Sequence, residues 1–81
     1  MKKFNNNPNI IGNLIKKARE KKHYTKADLI RELELLGIEM HRNEIYRIEN
    51  NLIFVKDFEL VAFCIVLDID FNDLKHFFDL S

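Results

Sequence analysis

Cysteine occurs once in this 81-residue chain, at Cys64, so no internal disulfide is available. Its neighbours Val61, Ala62, Phe63, Ile65 and Val66 are apolar, and a buried, inert thiol is expected there. Glycine is nearly as scarce, at Gly12 and Gly37 alone, which leaves no Gly-rich loop to cradle a phosphate. No nucleophile has a base at a workable spacing, so the chain is not expected to be an enzyme. His23, His41 and His76 stand far apart, with no cysteine or second histidine at ligand spacing. No metal or cofactor is therefore expected. Long apolar runs are missing too, since nothing approaches the ~18–20 residues that span a bilayer. With no signal peptide visible, a cytoplasmic protein without a membrane partner is the expectation.

Net charge is also absent, with 13 Lys and Arg against 13 Asp and Glu. Nucleic-acid-binding domains are usually basic, so this balance counts against that class. The distribution counts for it. Residues 1–26 carry eight bases (Lys2, Lys3, Lys16, Lys17, Arg19, Lys21, Lys22 and Lys26) against Glu20, a net of +7. The remaining five bases and twelve acids give −7. Such segregation allows one basic surface on a neutral molecule.

The hydrophobic content is 47% with seven Phe, and the length suits one small domain. A chain of this size buries only about 60–65% of its unfolded surface, so almost every apolar position is needed by the core. Residues 1–9 read as a flexible basic, Asn-rich arm, and residues 10–81 as the domain. A first helix is expected over about 10–22, capped by Asn7 or Asn9, with Pro8 suited to its first turn. Its buried stripe is Ile11, Leu14, Ile15 and Ala18, with Arg19 at the edge, able to turn inward. A second helix is expected over about 25–36, because Thr25 and Asp28 have the spacing of a capping box. Ala27, Ile30 and Leu33 face inward, joined by Leu29 and Leu36, and Gly37 ends the helix.

Two later helices are equally legible. Residues 57–67, capped by Asp57, are apolar nearly all round, the pattern of a central buried helix. Another follows Asp70, with Asp73 three residues on, and carries Phe71, Leu74, Phe77, Phe78 and Leu80. The apolar link Leu52, Ile53, Phe54 and Val55 is expected to pack over the core. That makes five helices and no strand.

The remaining helix, about 41–50, is the informative one. Ile45 and Ile48 share one face and can anchor it. The opposite face carries Asn43, Tyr46, Arg47 and Asn50, side chains able to reach base edges or phosphates. Its N-cap is weak, His41 or Asn43, and Asn50 and Asn51 end it with a positive φ. A short anchored helix with such an outer face fits a major-groove reading element.

Taken in order, these features resemble the Cro/repressor-type (XRE-like) helix-turn-helix DNA-binding family of phage and bacterial regulators. The residues that carry the resemblance are Ile11, Gly12, Leu14, Ile15, Ala18 and Arg19, then Thr25, Lys26 and Leu29. Arg47, Ile48, Glu49 and Asn50 are its most specific part. Phe58 to Phe63 and Leu67, Asp68, Ile69, Asp70 and Leu74 complete a match over about residues 10–75. Three departures stand out. Lys26 replaces the family's usual Gln, Asn51 replaces its usual Gly, and the Leu29-to-Asn50 spacing is about five residues longer. The last resembles a subgroup with a lengthened helix 2 and turn.

The resemblance implies an all-α, five-helix, compact repressor-like domain with a helix-turn-helix. It implies a sequence-specific transcriptional regulator, a repressor by expectation, acting on double-stranded DNA. Base contacts fall to Arg42, Asn43, Glu44 and Tyr46, at the helix end that enters the groove. Phosphate contacts fall to Lys26 and Arg47, with Lys16, Lys17 and Lys56 as further candidates. The family pattern also pairs Arg19 with Glu49 in a structural bridge, Glu49 being half-turned toward the core. Relatives of this kind often bind two half-sites as dimers, for which Phe77 and Phe78 are the candidate surface. A protein-interaction module on the same fold, for example one binding an antitoxin-like partner, is the alternative.

Overall fold

The computed structural model describes residues 6–75. The expectations placed on Lys2, Lys3, His76, Phe77, Phe78 and Leu80 lie outside the described residues. Five helices follow one another: α1 (Gly12–Lys21), α2 (Lys26–Leu35), α3 (Arg42–Glu49), α4 (Asp57–Leu67) and α5 (Phe71–Lys75). Among the described residues there is no strand, and the architecture is all-α. α1 packs on α3 and α4, and α2 packs on the same two helices.

Each helix starts and stops for a local chemical reason. Asn9 caps α1: its Oδ1 accepts the N–H groups of Ile11 (3.1 Å) and Gly12 (3.0 Å). At α2 the Thr25 hydroxyl accepts the Asp28 N–H at 3.0 Å, and the Asp28 carboxylate accepts the Thr25 N–H at 2.8 Å. These are two of the donors a helix start leaves orphaned. Gly37, at φ +81, ends α2 as the Ile38 N–H reaches back to the Leu33 carbonyl. Nothing crowds the position, so the left-handed backbone alone selects glycine. At α3, Glu44 accepts the His41 N–H at 3.0 Å, which supplies the cap His41 itself lacks. Asn51, at φ +60, closes α3 as the Leu52 N–H donates to Arg47 O at 2.8 Å. α5 opens on a reciprocal pair, Asp70 and Asp73.

Ile15, Leu29, Leu33, Ile45, Ile48 and Phe63 are the large fully buried side chains, joined in the core by Met40, Ala62, Leu67 and Ile69. The lengthened link between α2 and α3 is tied down, because Met40 is buried and Ile38 packs against the core.

Five expectations need correction. Ala27 is exposed rather than inward. Leu29 and Leu33 define the buried face of α2, and at 100° per residue Ala27 lies about 140° from it. Leu36 is exposed because α2 has already ended at Leu35. In the link before α4, Ile53 and Val55 pack on the core but Leu52 stands in water. Finally, α4 is buried on one side only: Ala62, Phe63 and Leu67 face the core, while Phe58, Val61 and Ile65 are exposed. Its N-cap is Lys56, whose N–H donates to Glu59 at 2.9 Å; Asp57 is the first helical residue. Cys64 is half-buried, and burial pushes its thiol pKa up.

Candidate nucleic-acid interface

The placement of α3 begins with Arg19. Its Nε donates to Glu49 Oε2 at 2.7 Å and its Nη2 to Glu49 Oε1 at 3.1 Å, while Nη1 donates to the Tyr24 carbonyl at 2.9 Å. Both charged groups are buried. The hydrogen bonding of Arg19 to the Glu49 carboxylate is the largest cause raising the Arg19 pKa, and burial opposes it. A planar guanidinium meeting a carboxylate through two bonds fixes distance and angle together. The C-terminal end of α3 is thereby held to α1 in one orientation.

A second clamp lies beside it. Gly12 sits so close to the end of α3 that a Cβ there would fall 2.3 Å from Ile48 O and from Asn51 Oδ1. Its N–H donates to Asn51 Oδ1 at 3.1 Å. The Asn9 amide reaches across to Ile48 O (3.2 Å) and Ile53 O (2.8 Å). Asn9 therefore caps α1 and ties down the end of α3 with one side chain. The chain spacing carried no sign of this clamp, because its partners are 39 and 44 residues apart.

With Ile45, Ile48 and Glu49 buried, the other side of α3 faces outward. Arg42, Asn43, Tyr46 and Arg47 are all exposed. Lys26, at the start of α2, holds its ammonium 5.2 Å from the centre of the Tyr46 ring. That cation–π contact joins the first turn of α2 to the middle of α3 on one surface. The phenol plane is thus backed by a positive charge.

Two candidate side chains are occupied in ways their spacing did not suggest. Glu44 is half-buried with its carboxylate in the His41 cap. Asn50 donates its amide to Tyr46 O at 2.8 Å, within its own helix.

The lysines divide. By periodicity Lys16 lies about 50° around α1 from the Gly12 and Arg19 edge that meets α3, and Lys17 about 150° from it. Lys17 instead lines an open groove of about 420 Å³ with Lys21, Lys22, Asp68 and Asp73. Lys22 bonds Asp68 there at 2.9 Å. Much of the basic excess of residues 1–26 is therefore set against carboxylates of the acidic half, away from α3. Lys56 is exposed, its ammonium 5.9 Å from the Phe58 ring.

Comparison with known protein families, characterised proteins and solved structures gives no match. The chemistry of the surface remains. Arg42 offers a bidentate donor fork of the kind that fits guanine O6 and N7, and Asn43 offers the amide pair that fits adenine N6 and N7. Arg47 and Lys26 offer charge to phosphates, and the exposed Tyr46 ring offers an apolar edge to a thymine methyl. No helix among the described residues is long and apolar enough to cross a membrane.

Proposed function

We propose that this protein is a sequence-specific regulator that binds double-stranded DNA, acting as a transcriptional repressor by occupying its site. The observation that carries the reading is the outward face of α3. Four side chains suited to bases and phosphates stand together on a helix fixed from behind by two isoleucines and a buried ion pair. Lys26 joins them from the start of α2. In this reading α3 enters the major groove by its N-terminal end. Arg42 and Asn43 read bases, Tyr46 meets a thymine methyl or a phosphate, and Arg47, Lys26, Lys16 and Lys56 hold the backbone. Glu44 serves the helix cap in place of a base.

Selection from a random duplex pool at low salt tests this directly. Enrichment of a defined motif is the expected outcome. Absence of enrichment with folded, concentrated protein rejects it. The neutral net charge and the pairing of Lys22 with Asp68 favour one competing role, a protein-interaction module. Ionic strength separates the two, since a protein neutralising about four phosphates loses affinity with a log–log slope of roughly −3 to −4. A protein-interaction module has no such slope on DNA.

A further inference from the structure

We propose that the groove between α1 and the α4–α5 junction binds a small amphiphilic monocarboxylate, an alkyl or arylalkyl acid held by Lys17 and Lys21 over an apolar floor. The groove has a volume of about 420 Å³, within the roughly 300–1,000 Å³ of small-molecule sites. Leu14 and Ala18 line it from α1, and Leu67 and Ile69 from the opposite side. These four supply the floor. The exposed side chains of Lys17 and Lys21 stand along its rim.

Charge identifies the ligand. Three lysines and two aspartates line the groove, a net of +1. Lys22 and Asp68 already satisfy each other at 2.9 Å, and the Lys22 ammonium lies 5.6 Å from the centre of the Tyr24 ring. Asp73 is committed to the start of α5, where its Oδ2 accepts the Asp70 N–H at 2.9 Å. That leaves Lys17 and Lys21. Among the described residues neither has an ion-pair partner. They are four residues apart on α1, so their charges are neighbours and repel. One carboxylate between them relieves that repulsion and balances the net charge of the groove.

The floor identifies the rest of the molecule. A bare inorganic anion gains nothing from Leu14, Leu67 and Ile69, whereas an apolar body does. The α1 wall from Leu14 to Lys21 is about 10 Å long, which suits a medium-chain acid. Both lysines lie on the side of α1 turned away from α3, so the site stands whether or not α3 reads DNA.

Nuclear magnetic resonance titration of the full chain with sodium octanoate, at constant ionic strength, is the measurement. Amide shifts are expected to saturate with a Kd of about 1 mM, as suits an open groove, and to map to residues 14–22 and 67–73. Hexanoate is expected to bind about fivefold more weakly, since it buries up to two fewer methylene groups. Acetate keeps the head without the body, and octylammonium keeps the body with the opposite charge. Neither is expected to saturate at about 20 mM, some twentyfold above that Kd. Lys17→Gln and Lys21→Gln are each expected to weaken octanoate binding about threefold, and the double variant about tenfold, with unchanged circular dichroism. Lys16→Gln, on the α3 side, is expected to keep wild-type affinity. Octanoate that does not saturate at about 20 mM overturns the proposal. So do shifts centred on the exposed Phe58, Val61 and Ile65 of α4, octylammonium binding as tightly as octanoate, or a double variant of unchanged affinity.

Discussion

Arg19 shows what a single residue can decide. Its guanidinium has three hydrogen bonds in a buried setting, two to Glu49 and one to the Tyr24 carbonyl. Removing either charge strands the other, so Arg19→Ala or Glu49→Ala is expected to cost about 3–5 kcal/mol. Urea melts of the single and double variants check it, and the double should be less than the sum of the singles. Asp28 gives a residue-scale dependence on pH. The Thr25 N–H and hydroxyl, with Arg31 behind them, hold its carboxyl below the usual carboxylate range. A depressed folded pKa stabilises above the unfolded value of about 3.9 and is lost as pH falls through the folded value. Asp28→Asn should therefore be less stable than wild type at pH 7. The difference should narrow below about pH 4, and urea melts at a series of pH values would show a constant gap if the cap were irrelevant.

Among the elements, the relation of α1 to α3 matters most, and Gly12 sets it. Any side chain there collides with the carbonyls of Ile48 and Glu49, which are backbone and cannot swing aside. Gly12→Ala is expected to cost about 1–3 kcal/mol through displaced packing. If α3 reads DNA, it should also weaken specific binding more than non-specific binding, because only the specific mode needs the helix angle. Thermal melts together with binding to matched and scrambled duplexes separate the two effects. The helices themselves were legible in the sequence because capping residues and apolar spacing are local signals. Thr25 with Asp28 and Asp70 with Asp73 announce helix starts within four residues. The Arg19–Glu49 bridge was reachable only through the family resemblance, since 30 residues separate its partners. The Asn9 and Gly12 clamp and the Lys26–Tyr46 stack gave no signal, being products of packing. Exposure on α4 is not legible in the sequence for a related reason: composition shows that a helix is apolar, but how many neighbours it has is set by the whole fold.

On the whole molecule, charge is the quantity that sequence and structure describe differently. Along the chain the first 26 residues look like one basic segment of +7. In space, Lys17, Lys21 and Lys22 border a groove whose other wall carries Asp68 and Asp73, whereas Lys16 lies on the α3 side of α1. If DNA lies along α3, the cations that meet phosphates are Lys16, Lys26, Arg47 and Lys56, with Arg42 on a base. Each lost phosphate contact reduces the salt slope by about 0.9. Lys26→Gln and Lys16→Gln should therefore each lower the slope by about one and weaken all duplexes alike. Lys17→Gln and Lys21→Gln should leave it unchanged, although they remove the same charge and share α1 with Lys16. Binding isotherms at four or five salt concentrations resolve these outcomes. Equal effects from all four lysines would mean that DNA senses only the summed charge of the N-terminal segment, and α3 would then have no privileged place in the contact.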